Sequence, residues 1–280
     1  MYKKILNTLF QWTADQACEH ILGIHEQIGY CIVDYLYFAN IVGKKLFQSH
    51  IDNSSVDMFR EALLADYKAM NIPYMYTTYQ KAILDADLVL MDGIALQVFY
   101  FLAKKKRLPN LNGTDFCPYF LSYAKTHSKE KKVNVILYGT YPHLLTKTKE
   151  YLLEQWYHVI YAQDGYTNLD REHVESALKG RERNTNILLV ARTTPDYPIQ
   201  ELWSLANKKK IAEHWLIVLN QWGTFDFWVG EQKRAPKFVR NIKLERLWRL
   251  IATPKRQIKK TLDSLAILKY IFFYLLLKKN

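Results

Sequence analysis

Cysteine is scarce in this chain of 280 residues. Cys18, Cys31 and Cys117 are too few and too scattered for a disulfide framework or a zinc site, so a reducing, cytosolic setting is expected. The eight histidines show no paired metal-ligand spacing. No internal repeat or low-complexity linker interrupts the chain, and 49% hydrophobic with 24% charged residues excludes a disordered or fibrous protein. There is no G-x-G-x-x-G turn and no Walker loop, which counts against a dinucleotide oxidoreductase and a P-loop NTPase. No signal peptide is expected either. Asn7, Thr8, Gln11 and Asp15 break the opening apolar pattern and no small-residue cleavage site follows, so the N-terminus reads as an amphipathic helix. The apolar run LAILKYIFFYLLL at 265–277 spans about 20 Å as a helix, short of the roughly 30 Å hydrocarbon core of a bilayer.

What the chain does have is charge, and the charge is local. The net is +12, and residues 231–280 carry fourteen Lys and Arg against Glu231, Glu245 and Asp263. The first 230 residues are thus nearly neutral, and the basic tail seeks phosphates on nucleic acid, anionic lipid or substrate. Lysines flank the apolar run on both sides, the pattern of a helix lying on an anionic membrane surface; a last helix packed into the core or a dimer interface fits the same pattern.

Apolar runs at 31–38, 87–91, 133–138, 158–162, 186–191 and 215–219 read as buried strands. Helical patterns occupy 56–70, 94–105, 115–126, 144–156, 171–178 and 199–208. This alternation predicts an α/β fold, a Rossmann-like, mainly parallel sheet with helices on both faces. From about Pro236 the strands stop, and helices at 238–251 and 255–277, punctuated by Pro254, make a basic C-terminal appendage. The division is an α/β body at 1–230 and an appendage at 231–280.

Four places carry candidate chemistry. Asp92 and Gly93 end an apolar strand, where ligands bind in open α/β sheets; a carboxylate there serves either as a general base or as the cap of the following helix, with Gly93 supplying an unusual backbone angle. Gly139 follows a second strand, in a turn that either admits a phosphate or sugar to a helix N-terminus or merely joins strand to helix. The loop from Gly223 through Asp226 and Gly230 to Arg234 is either a sugar- or phosphate-binding turn or a plain connection to the tail. Arg246 and Arg249, three apart, share a helix face that either grips diphosphate or is solvated.

Several blocks stand in the order found in the WecG/TagA/CpsF family of bacterial glycosyltransferases (family 26), which the chain resembles over roughly residues 85–260. They are ADLVLMDG at 86–93, NGTD at 112–115, the stretch 136–142, DGY at 164–166, Gln200-Glu201, the G..FDF..G…RAP block at 223–236, and the basic block from Leu244 through Pro254 to Arg256. The resemblance implies an inverting transfer of sugar from a UDP-sugar to a polyprenyl-diphosphate-linked sugar at the inner face of the cell membrane, in cell-envelope or exopolysaccharide synthesis. It implies no metal or other cofactor. Asp92 becomes the general base and Arg234, Arg249 and Arg256 the diphosphate ligands. Asn40 (by way of an insertion near 50–75), Gly93, Asn112, Gly139, Gln200, Glu201, Gly223 and Asp226 become substrate-binding positions. The expected partners are the UDP-sugar, the lipid-linked acceptor and an anionic membrane surface but no nucleic acid, with a homo-oligomer left open. The competing expectation is a non-catalytic phosphate- or nucleic-acid-binding protein that uses the basic tail.

Overall fold

The computed structural model describes residues 9, 11, 13–37, 79–128, 131–192, 199–221, 223–232, 234–236, 238–239, 248 and 251. In chain order its elements are α1 (Ala14–Ile28), β1 (Cys31–Tyr37), α2 (Tyr79–Asp85), β2 (Leu88–Asp92), α3 (Ile94–Lys104), α4 (Gly113–His127), β3 (Val133–Gly139) and α5 (Pro142–Glu154). They continue with β4 (His158–Gln163), α6 (Arg171–Leu178), β5 (Thr185–Ala191), α7 (Ile199–Ala206), α8 (Lys208–Glu213), β6 (Leu216–Asn220) and α9 (Thr224–Trp228).

The six strands form one sheet of order β2-β1-β6-β5-β3-β4. Every pairing is parallel. Alternate side chains along each strand enter different cores, as the two-residue period of a strand requires. Val33, Tyr35, Val135, Leu137, Ile187 and Leu189 face α1, α4, α5 and α9. Ile136, Tyr138, Leu188, Val190 and Val218 face α6, α7 and α8. A third cluster packs α3 and Ile83 of α2 on the β2 edge through Val89, Met91, Leu96 and Tyr100. All six expected strands are present, and the α/β class holds.

The helices differ in detail. A capping box opens α1: the Thr13 hydroxyl accepts from the Gln16 N–H, and the Gln16 side chain accepts from the Thr13 N–H. This helix starts at Ala14, and Leu9 forms an isolated parallel bridge with Val89; the helix expected over the opening residues lies outside the described residues, isolated positions excepted. The single helix expected at 199–208 stops at Ala206, because Asn207 leaves helical geometry (φ −100°, ψ 10°) and donates its amide to the Trp203 carbonyl at 2.9 Å. The turn expected after Gly223 is instead the short helix α9. The helix expected at 56–70 and the two appendage helices lie outside the described residues, isolated positions excepted.

The sheet has a topological switch point at its carboxyl edge, between β3 and β5. After β3 the chain crosses by α5 on one face, and after β5 by α7 and α8 on the other. The two connections part between Gly139 and Ala191, which pair at the end of the ladder. Gly139 has φ 129°, and a Cβ placed there meets the Ala191 carbonyl carbon at 2.4 Å. Only glycine lets the two strand ends approach this closely. Gly139→Ala is therefore expected to destabilise the protein by about 2–4 kcal/mol in chemical denaturation, through a clash against backbone that cannot yield. A loss below about 0.5 kcal/mol contradicts this packing.

Candidate active site

Asp92 is the last residue of β2, and half-buried. It does not cap the helix that follows: the N-cap of α3 is Gly93, at φ 97° and with no side-chain hydrogen bond. Of the two roles open to this pair, Gly93 does supply the unusual angle, and its N–H donates to the Asn110 side chain at 2.7 Å. Asp92 is thereby left to face a different helix. Its Oδ2 accepts from the N–H of Gly113, the first residue of α4, at 3.4 Å. The Leu111 N–H donates to the Met91 carbonyl at 2.9 Å, which ties the α4 entry to the end of β2.

Asn112 caps α4, accepting from the Asp115 N–H at 3.1 Å and donating to Asp115 Oδ2 at 2.8 Å. The other Asp115 oxygen pairs with Arg234 Nη1. The Arg234 guanidinium lies 5.4 Å from the centre of the Phe227 ring. Its Nε and Nη2 are buried and have no hydrogen-bond partner among the described residues. A guanidinium with two donors left over beside a helix N-terminus is chemically suited to an oxyanion. Gly223 opens α9 nearby, and Thr224 donates to Gln221 Oε1 at 2.7 Å. Gln221 in turn donates to the Tyr35 hydroxyl at 3.3 Å. A Cβ at Gly113 would sit 3.2 Å from Gln221 Oε1 and 3.4 Å from the Tyr35 ring, so Tyr35 and Gln221 adjoin Asp92. Burial, then Cys117 and Asp92, push the Tyr35 phenol well above its ordinary range and keep it neutral. The Asp226 carboxylate accepts from Gln232 at 2.5 Å and closes the turn after α9.

The remaining sequence candidates stand elsewhere on the edge. Gly139 is four strands from Asp92, about 19 Å at 4.8 Å per strand. Beyond it the Thr140 N–H donates to the Ala191 carbonyl at 3.0 Å, and Tyr141 and Tyr166 pack with ring centres 5.5 Å apart. Burial, with Tyr141 adding to it, raises the Tyr166 phenol to about 12. Gln200 and Glu201 begin α7 on the opposite face and are wholly buried, Gln200 donating to Glu201 at 3.3 Å. Asn40, Arg249 and Arg256 lie outside the described residues. No three His, Cys, Asp or Glu gather as a metal site among the described residues.

A scan against protein-family models matches residues 66–280 to the glycosyl transferase WecG/TagA/CpsF family. The match spans Asp92, the α4 entry and Arg234. The chain belongs to this family of glycosyl transferases. Among curated proteins it is 26% identical over 225 residues to the N-acetylglucosaminyldiphosphoundecaprenol N-acetyl-beta-D-mannosaminyltransferase of Bacillus spizizenii, covering 75% of this chain and 79% of that one.

Sequence reasoning missed the polar groups buried behind the edge of this transferase. The Asn220 amide donates to Asp34, and its oxygen accepts from Ser204 at 2.9 Å. Burial first, and Glu201 second, push the Asp34 carboxyl well above the usual carboxylate range. An acid inside the apolar run CIVDYLY was the available signal. Tyr35 and Gln221 had none, being an ordinary strand residue and an ordinary loop residue until the fold brings them together.

Because native Asp34 keeps its proton to higher pH than the unfolded chain does, folding binds protons once the pH passes the ordinary carboxylate range near 4. Stability then falls as pH rises toward the raised native value, by at most about 1.4 kcal/mol per pH unit. Asp34→Asn keeps the acceptor for Asn220 and removes the titration. The stability of the variant relative to wild type, from urea melts between about pH 5 and 8, should increase with pH. A pH-independent difference means that Asp34 is already ionised in the fold.

Proposed function

We propose that this chain transfers a sugar from a UDP-sugar, with inversion, to a sugar carried on a polyprenyl diphosphate. The observation that carries the reading is Asp92 at the end of β2, facing the N-terminus of α4 whose first turn holds Arg234. The acceptor hydroxyl oxygen attacks the anomeric carbon and gives its proton to the Asp92 carboxylate. The bond from the anomeric carbon to the diphosphate oxygen breaks, and its electron pair leaves with UDP. Negative charge grows on that oxygen, and the unused Arg234 donors and the α4 N-terminus are placed to receive it. Arg249 and Arg256 of the appendage are proposed as further diphosphate ligands. The donor is proposed to lie along the carboxyl edge toward the switch point between β3 and β5, where ligands bind in open α/β sheets.

The name of the Bacillus relative supports an acceptor bearing N-acetylglucosamine on a diphosphate lipid, and N-acetylmannosamine as the sugar to try first. Such an acceptor is held at the bilayer. Among the described residues no helix is long and apolar enough to cross a membrane. Attachment at the inner membrane face through the basic tail is therefore part of the proposal.

The deciding measurement is transfer to a short-chain soluble acceptor across a panel of UDP-sugars. Asp92→Asn should lower kcat by about 10²–10⁴ while UDP binding is largely kept. A variant that turns over at close to the normal rate removes Asp92 from the chemistry, and UDP binding without turnover in the wild type favours the non-catalytic reading. Arg234→Ala should weaken UDP or lipid-diphosphate binding by about 2 kcal/mol, roughly thirtyfold, in calorimetric titration. Unchanged affinity for both means that Arg234 serves only the Asp115 pair.

A further inference from the structure

Helix α3 leaves the site directly after Gly93, and its outer face does not resemble that of the other helices. The exposed positions of α5 include Lys147, Lys149 and Glu150, and those of α6 include Glu172, His173 and Glu175. The sequence of α3, IALQVFYFLAK, has two polar residues. One of them, Gln97, turns back to donate to the Leu108 carbonyl at 2.7 Å. Leu96 and Tyr100 supply the buried face at 0% and 2% exposure, whereas Ile94, Val98 and Phe101 are 38%, 36% and 39% exposed. These three are spaced i, i+4 and i+7 and line one stripe. The stripe ends in cations: Lys104, Lys105, Lys106 and Arg107 are consecutive, and no acid lies between Asp92 and Asp115. Lys105 Nζ and the Arg107 guanidinium stand 5.8 Å and 5.7 Å from the centre of the Phe101 ring, so the charge rims the apolar patch. Lys105 also holds the left-handed C-cap position (φ 59°), which ordinarily favours glycine.

We infer that the outer face of α3 docks on the surface of an anionic lipid bilayer, as a second membrane contact built into the α/β body and separate from the C-terminal tail. Charge complementarity selects this occupant. Apolar side chains in a row, edged by a cluster of cations in a nearly neutral body, match acyl chain and anionic headgroup together. A helix seated in this way lies in the interface plane and brings the β2 end, with Asp92, against the bilayer. The inference extends the transferase reading, in which the acceptor is lipid-borne, but vesicle binding reads it without any turnover.

The test uses the full-length chain with phosphatidylcholine vesicles, with and without phosphatidylglycerol. The triple variant Lys105→Gln, Lys106→Gln, Arg107→Gln alters only exposed side chains. It should lower partition onto anionic vesicles by on the order of 10- to 100-fold at low salt and leave the weak binding to neutral vesicles unchanged. The double variant Val98→Ser, Phe101→Ser should lower binding to both vesicle types. Both variants should transfer sugar to a soluble short-chain acceptor at the wild-type rate. Wild-type partition in the triple variant overturns the inference even if the double variant fails to fold. So does a fall in solution mass with vesicle binding intact, since a second copy of the chain then covers the face. Should the wild type bind vesicles as expected yet transfer no sugar, the transferase reading fails and the docking surface stands.

Discussion

Each face of this parallel sheet is covered by helices, so a polar side chain within a strand must be satisfied inside the protein or stand at a strand end. That constraint organises the molecule. At the amino edge Asn134 donates to Asn186 at 2.8 Å and bonds to His158 at 2.7 Å, while Asn186 donates to the Arg181 carbonyl. Near the carboxyl edge Ser204, Asn220 and Asp34 form a second chain of bonds. The candidate site residues have only the strand ends left to them. Asp92, Gly139 and Gln221 all stand there or one residue beyond.

Helix entry geometry adds direction. A strand-end carboxylate usually caps the helix it precedes, and such a cap would have consumed Asp92. Gly93 takes the cap position of α3 in a conformation that other residues resist, and the chain returns through Asn110 and Leu111 so that α4, not α3, presents its first N–H groups to the carboxylate. Arg234 arrives from the far end of the body and is held by an acid in the same first turn of α4. A carboxylate and a cation with unused donors thus come to one helix N-terminus, although 142 residues separate them in sequence. In the proposed transfer this pairing has a chemical meaning, one group taking a proton and the other accepting the leaving charge.

How much of this could be read beforehand varies with how local the cause is. The strands were legible because burial on both faces leaves continuous apolar runs, and α6 was legible at both ends. The break at Asn207 was not, because it depends on a side chain bonding to its own helix and to Arg171 at 3.1 Å. The capping box of α1, Thr13 with Gln16, is local and stands in plain sequence. The loop after Gly223 became a helix because Phe225 finds a place in the main core, which no local pattern announces.

By itself the sequence determined the class of fold, the strand positions, the glycines at the strand ends and the candidate status of Asp92 and Arg234. All of these follow from local side-chain chemistry and short-range periodicity. Which helix faces Asp92, that Asp115 rather than solvent meets Arg234, that Tyr35 and Gln221 stand beside Asp92, and that the Asp34 carboxyl is pushed above its usual range were decided only by tertiary structure. Strand order and crossover direction set those distances, and burial set the ionisation. Both are properties of groups far apart in the chain that no window of residues contains.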